Sequence, residues 1–152
     1  MPIARKGHED KPAFVFHGEQ AGRTGGPCRT LADAGVNILS LSLGDTQKFG
    51  AMRLIVDYCQ KARESLAATG CVVKEAEVVV VELEDRPGGL ADALEAVEAE
   101  RINVEYIYAL TTRQDHKAAL VFRFGDVDAA IKALRGNGIH LLGPKEITRR
   151  VD

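Results

Sequence analysis

A chain of 152 residues that is 45% hydrophobic and 28% charged has the make-up of a soluble globular protein with one domain or two small ones. Its 20 Lys and Arg stand against 22 Asp and Glu for a net charge of -2, poor material for a nucleic-acid footprint. Cys28, Cys59 and Cys71 lack C-x-x-C spacing, which excludes a disulfide framework or zinc knuckle and favours a reducing cytoplasm; no apolar run reaches the ~20 residues of a membrane span, and the first residues lack a signal-peptide core.

In chain order, the apolar "AFVF" (13–16) reads as a first strand, and "HGEQAGRTGGPC" (17–28) follows with five Gly or Pro in twelve residues. A helix then runs to Ala34, followed by strands "NILSLS" and "AMRLIVD", helix "QKARESLAATG" and strand "CVVKEA" (71–76). "EVVVVELE" (77–84) is a β-branched strand ending in "DRPGG", and "GLADALEAVEAE" (89–100) sets Leu90, Ala93, Leu94 and Val97 at helical spacing. Two strand-like runs, 103–110 and 117–124, flank "TTRQDH". Asp126 then caps a helix with Val127, Ala130, Ile131 and Leu134 inward, Gly138 ends it, and a short strand "IHLL" closes the unit.

"AGVNILSLS" (34–42) aligns with "ERINVEYIY" (100–108) at a constant offset of 66, and the same offset places Gly22 on Gly88. Two copies at so long a period mean tandem domains rather than a solenoid. The order βαββαβ occurs twice, which predicts an α+β chain of two ferredoxin-like plaits, with antiparallel sheets and helices on one face of each. The expected domains are 1–75 and 76–152. Such a fold hosts many functions and selects none.

The turn "DRPGGLAD" carries the most chemistry. Pro87 fixes its φ and Gly88 supplies a conformation that other residues resist, so the strand turns sharply into a helix whose first N–H groups are natural carboxylate donors. Asp85 offsets an ammonium, and Asn103 carries both donor and acceptor, a set suited to a free amino acid. The plainer alternative stays open: tight turns use Pro and Gly for structure alone, and Asn37 and Asn103 can bond a turn to itself.

With "EDRPGGLADALEAVEAERINVEYIYA" in the second copy and "LADAGVNILSLSLGDTQKFGAMRLIVD" in the first, the sequence resembles the ACT domain family in its tandem form over about residues 13–142. The resemblance implies a regulatory module that binds a small ligand, usually an amino acid, near the loop from first strand to first helix where two such domains meet. Carried over, the site comprises Asp85, Arg86, Pro87, Gly88, Gly89, Leu90 and Asn103 in the second copy. In the first it comprises Glu19, Gln20, Ala21, Gly22, Arg23 and Asn37. Asp45 and Phe49 of "GDTQKFG" also match a segment of the tandem form. A homodimer and a partner enzyme or regulator in trans are expected, without cofactor, metal, nucleic acid or membrane. The rival from another class is a protein-interaction module with no small ligand.

Catalysis is not expected. His8, His17, His116 and His140 have no ligand spacing, and "GRTGGPC" lacks the Lys-Ser/Thr of a phosphate loop. Phe14, Phe16, Phe122 and Phe124 imitate the base-stacking aromatics of an RNA-binding plait, but F-x-F in a half-buried strand is better read as packing.

The first copy departs from its sister in one place. Opposite "GLADAL" stands "RTGGPC", so Gly25, Gly26 and Pro27 occupy the first helical turns and Thr24 replaces an apolar anchor. Gly costs about 1 kcal/mol and Pro about 3 kcal/mol inside a helix. Degenerate codons for residues 8–27, read one nucleotide later, permit "MKISQLSFFMENKPGGLADL", whose "ENKPGGLAD" falls in register with 84–92. The expectation is that residues 1 to about 28 are out of frame, through a sequencing error or a compensated frameshift; if they are native, the first site is weakened or lost and its helix starts late.

Overall fold

The computed structural model describes residues 25–46, 49–111 and 114–151. Helix α1 (Gly25–Asp33) leads into strands β1 (Ile38–Thr46) and β2 (Phe49–Val56) and helix α2 (Cys59–Ala68). The second half comprises β3 (Val79–Glu84), α3 (Gly89–Ala99), β4 (Val104–Ala109), β5 (Lys117–Phe124), α4 (Val127–Gly136), β6 (His140–Leu142) and α5 (Pro144–Val151).

Strands β3 to β6 form one antiparallel sheet in the order β4-β5-β3-β6, the order of a ferredoxin-like plait. Its helical face buries Val79, Val81, Phe122 and Phe124 against Ala93 and Val97 of α3 and Ala130, Ile131 and Leu134 of α4. The strand alternation and helix spacing of the sequence thus become a single core. Phe122 and Phe124 are fully buried there, so they pack instead of offering a platform. Asp126 caps α4, accepting from the N–H of Ala129 at 3.0 Å, and Gly138 follows the helix with φ of 71°. The β4–β5 connection closes on Asp115 and His116, both at positive φ (51° and 59°), the two-residue geometry that suits a right-handed strand pair.

In the first half β1 and β2 pair antiparallel, and Met52, Leu54 and Val56 pack on Leu31 of α1 and Ala62 and Leu66 of α2. Gly25, Gly26 and Pro27 are helical, and α1 buries only Leu31, whereas α3 buries four residues. Leu41 and Leu43, paired with Leu54 and Met52, remain 48% and 56% exposed. The expected strand at 13–16, and any late start of α1 before Gly25, lie outside the described residues.

One expected element is corrected. "CVVKEA" is in no strand: residues 71–78 run as irregular chain into β3. The fourth strand of a plait pairs with the first, and the first falls outside the described residues, so no described strand offers 71–76 a ladder. One helix was unforeseen. Pro144 opens α5, and the Glu146 carboxylate accepts from the N–H of Gly143 at 2.8 Å, a cap of the kind that starts helices.

The two sheets pack face to face on the sides away from their helices. Leu39 and Ile55 of the first half meet Val78, Val80, Ala119, Val121 and Leu142 of the second, and Ile147 of α5 joins the same core. Edge strands β1 and β4 are tied by two bonds: Ser40 Oγ donates to Ala109 O at 2.9 Å, and Thr111 Oγ1 donates to Leu39 O at 3.0 Å. Glu82 is 10% exposed on this face and paired with Lys117 Nζ at 3.0 Å and with Arg150 of α5.

Candidate ligand-binding turn

Strand β3 ends at Glu84, and four residues, Asp85 to Gly88, reverse the chain into α3. Asp85 N–H donates to His116 O at 2.9 Å, which ties the turn to the neighbouring hairpin. Arg86 N–H closes on Glu84 O at 2.9 Å and Gly89 N–H on Arg86 O at 3.1 Å. Gly88 takes φ of 88°, a left-handed conformation that a side chain resists. Gly89 is needed for another reason: a Cβ there would lie 2.3 Å from Glu84 O. The two glycines therefore set the sharpness of the turn by conformation and by close approach.

The Arg86 guanidinium folds over the helix start, donating to Asp92 Oδ2 at 2.6 Å and to Pro87 O at 3.0 Å. Both side chains are more than half exposed, so the pair is open to exchange with a ligand. A cleft of about 790 Å³ begins at Arg86 and Gly89 and runs along α3 toward the α4–β6 connection. That volume suits a small metabolite. Carboxylates dominate its walls, among them Glu84, Asp92, Glu95 and Glu100, with Arg86 and Lys117 supplying positive charge.

Of the seven second-copy residues, Asp85 to Leu90 are consecutive around this turn. Asn103 is elsewhere. It precedes β4, its carbonyl accepts from Gly125 N–H at 2.9 Å, and Val104 pairs with Phe124 while Glu84 pairs with Lys117. Seven residue steps along β5, from Lys117 to Phe124, separate those two pairs, about 24 Å at strand rise. Asn103 and the turn thus stand at opposite ends of the same sheet. Asn37 sits correspondingly before β1, its N–H donating to Asp57 Oδ1 at 2.9 Å. Glu19, Gln20, Ala21, Gly22 and Arg23 lie outside the described residues. Strand registers, which pattern alone does not yield, decide that Asn103 and the turn are apart.

Other chemistry is not assembled among the described residues. No group of three or more His, Cys, Asp or Glu is placed to hold a metal, and no helix is long and apolar enough to cross a membrane.

A plait with a glycine-shaped turn between its first strand and first helix, packed sheet to sheet on a second α/β unit, defines a class of paired ferredoxin-like modules. The family described as "ACT domain pair" matches residues 14–150, and the chain belongs to it. Among solved structures, protein BT0572 from Bacteroides thetaiotaomicron is similar with 27% identity and a TM-score of 0.79, over 88% of this chain and 92% of that one. The regulatory subunit of aspartate kinase from Thermus thermophilus, in a ligand-free form, shares the fold at 19% identity and a TM-score of 0.57, over 84% and 93%. That from Thermus flavus does so at 18% and 0.54, over 82% and 90%. No curated protein sequence matches. ACT domains are commonly regulatory ligand-binding domains, and the ACT domain pair is a regulatory module.

Proposed function

We propose that this protein is a regulatory sensor of a free amino acid, bound at the β3–α3 turn. The observation that carries the reading is the turn itself. Gly88 and Gly89 bring the backbone round so tightly that the start of α3 opens onto a cleft of about 790 Å³. Gly89 and Asp92 use their N–H groups on the turn carbonyls of Arg86 and Gly88, which leaves Leu90 and Ala91 to meet a ligand carboxylate. Arg86 adds charge on the same side, and Asp85, Glu84 and Asp92 supply the complement for an ammonium. The aspartate kinase subunits of the same fold are named as regulatory, which supports this use.

Asn103, at the far end of its own sheet, reaches such a ligand only from another copy, as in a homodimer that sets one copy's turn beside another's β4 start. A ligand held between domains favours one arrangement by its differential affinity, and a partner enzyme or regulator in trans reads that arrangement. The reading includes no catalytic step and no cofactor, and a cytoplasmic location.

A thermal-shift screen of the twenty amino acids tests it. A ligand at 100 times its Kd stabilises the fold by about 2.7 kcal/mol. One or a few related amino acids should raise Tm in the wild type and lose the effect in Arg86→Ala. No shift with any of them at millimolar concentration contradicts the reading.

A further inference from the structure

The seam between the two sheets is apolar at its centre and polar where β4 faces β2. Tyr106 and Tyr108 project from β4, their ring centroids 6.2 Å apart and the planes 26° from parallel. Arg53 of β2 lies across from them, with Cζ 4.2 Å from the centre of the Tyr106 ring. Arg53 Nε and the Tyr108 hydroxyl are buried without a hydrogen-bond partner, and the buried Tyr106 hydroxyl has none besides the Arg53 guanidinium that lies against it. Native structures leave few such atoms, and each calls for an explanation. Among the described residues these three stand with only one other, Arg150 Nη1, and all three are in this seam. The nearby Ser40 hydroxyl is already committed to Ala109 O.

We propose that Arg53, Tyr106 and Tyr108 form a binding site for a small carboxylate, separate from the β3–α3 turn. The three atoms carry three donors, two O–H and one N–H, and the guanidinium brings a positive charge. A carboxylate answers with two oxygens, about four lone-pair directions and one negative charge. Burial raises the pKa of both phenols, most strongly for Tyr108, so each keeps its proton as a donor at neutral pH. Glu105 and Arg123 are the other charged groups acting on Tyr106; they are paired with each other at 3.3 Å. Because Arg53 belongs to one sheet and the tyrosines to the other, a bound carboxylate joins the two halves and couples its occupancy to their packing.

The chain has three tyrosines and no tryptophan, which provides a local reporter. Tyr58→Phe removes the exposed tyrosine and leaves Tyr106 and Tyr108 as the near-UV signal. Sodium acetate, titrated against sodium chloride at equal ionic strength, should give a saturable tyrosine difference spectrum. Arg53→Gln, and independently Tyr106→Phe, should each weaken the acetate midpoint by about ten-fold, the worth of a charge-assisted bond. Far-UV circular dichroism confirms the fold of each variant, and Tyr106→Phe keeps the ring that Arg53 stacks on. No acetate-specific saturation, or unchanged midpoints in both folded variants, overturns the proposal and leaves the seam to water.

Discussion

The Cβ that Gly89 lacks would stand 2.3 Å from the carbonyl oxygen of Glu84, the last residue of β3. No side chain can rotate out of that contact, because both atoms belong to the backbone frame. Gly89→Ala should cost about 1–3 kcal/mol through forced displacement of the turn, read as a lower urea midpoint at unchanged m-value. Gly88→Ala, strained by φ of 88°, should cost about 1–2 kcal/mol. If either is neutral, the turn is looser than its geometry states.

The bond from Ser40 Oγ to Ala109 O joins two edge strands, and Ser40 is only 2% exposed. Ser40→Ala leaves that carbonyl without its donor and should destabilise by about 1–3 kcal/mol. Because the bond joins the halves, the variant should also separate their unfolding; a second transition in calorimetry would show it.

At alkaline pH the seam should weaken. Tyr106 and Tyr108 have folded-state pKa values raised above the ordinary 10.0, burial being the main cause. Both are protonated in either state below about pH 10, so their contribution is fully present there. As pH rises past 10 the unfolded chain releases protons that the folded chain retains, and stability falls. Urea unfolding from pH 9 upward should show the decline, and the Tyr106→Phe/Tyr108→Phe double variant should flatten it.

Helix α5 should act as part of the fold despite its terminal position. Ile147 is 2% exposed in the core between the sheets, so Ile147→Ala should cost about 2–5 kcal/mol. A loss below about 0.5 kcal/mol, the size of a surface substitution, would show α5 undocked in solution.

The second half was legible in the sequence because its periods are clean: β-branched "VVVV", the Leu90 to Val97 spacing and the Asp126 cap each name one element. Helix α5 was not foreseen: Pro144 and Glu146 mark its start, but Ile147 is the one buried apolar side chain among its described residues, which gives no stripe to count. "CVVKEA" shows the converse, a strand-like composition that forms no strand where no described partner pairs with it. Of the site, the turn was readable from Pro87 and the two glycines. Its separation from Asn103 and the meeting of Arg53 with Tyr106 were not, since both depend on registers and on sheet packing between residues far apart in sequence.

The out-of-frame reading of residues 1–28 concerns residues that the structure mostly does not describe, and an intact mass addresses it. A sequencing error predicts that protein made from the gene differs in mass from the sequence as written; a matching mass excludes that error and leaves a compensated frameshift.

Binding of an amino acid at the turn formed by Gly88 and Gly89 is read most directly at the backbone amides of that turn. Backbone amide spectra of the labelled protein, titrated with the amino acid that raises Tm most, test it directly. Saturable shifts concentrated at Gly88, Gly89, Leu90 and Ala91, and abolished in Gly89→Ala, are expected. Shifts absent from those four amides, with saturation elsewhere or nowhere, would contradict it.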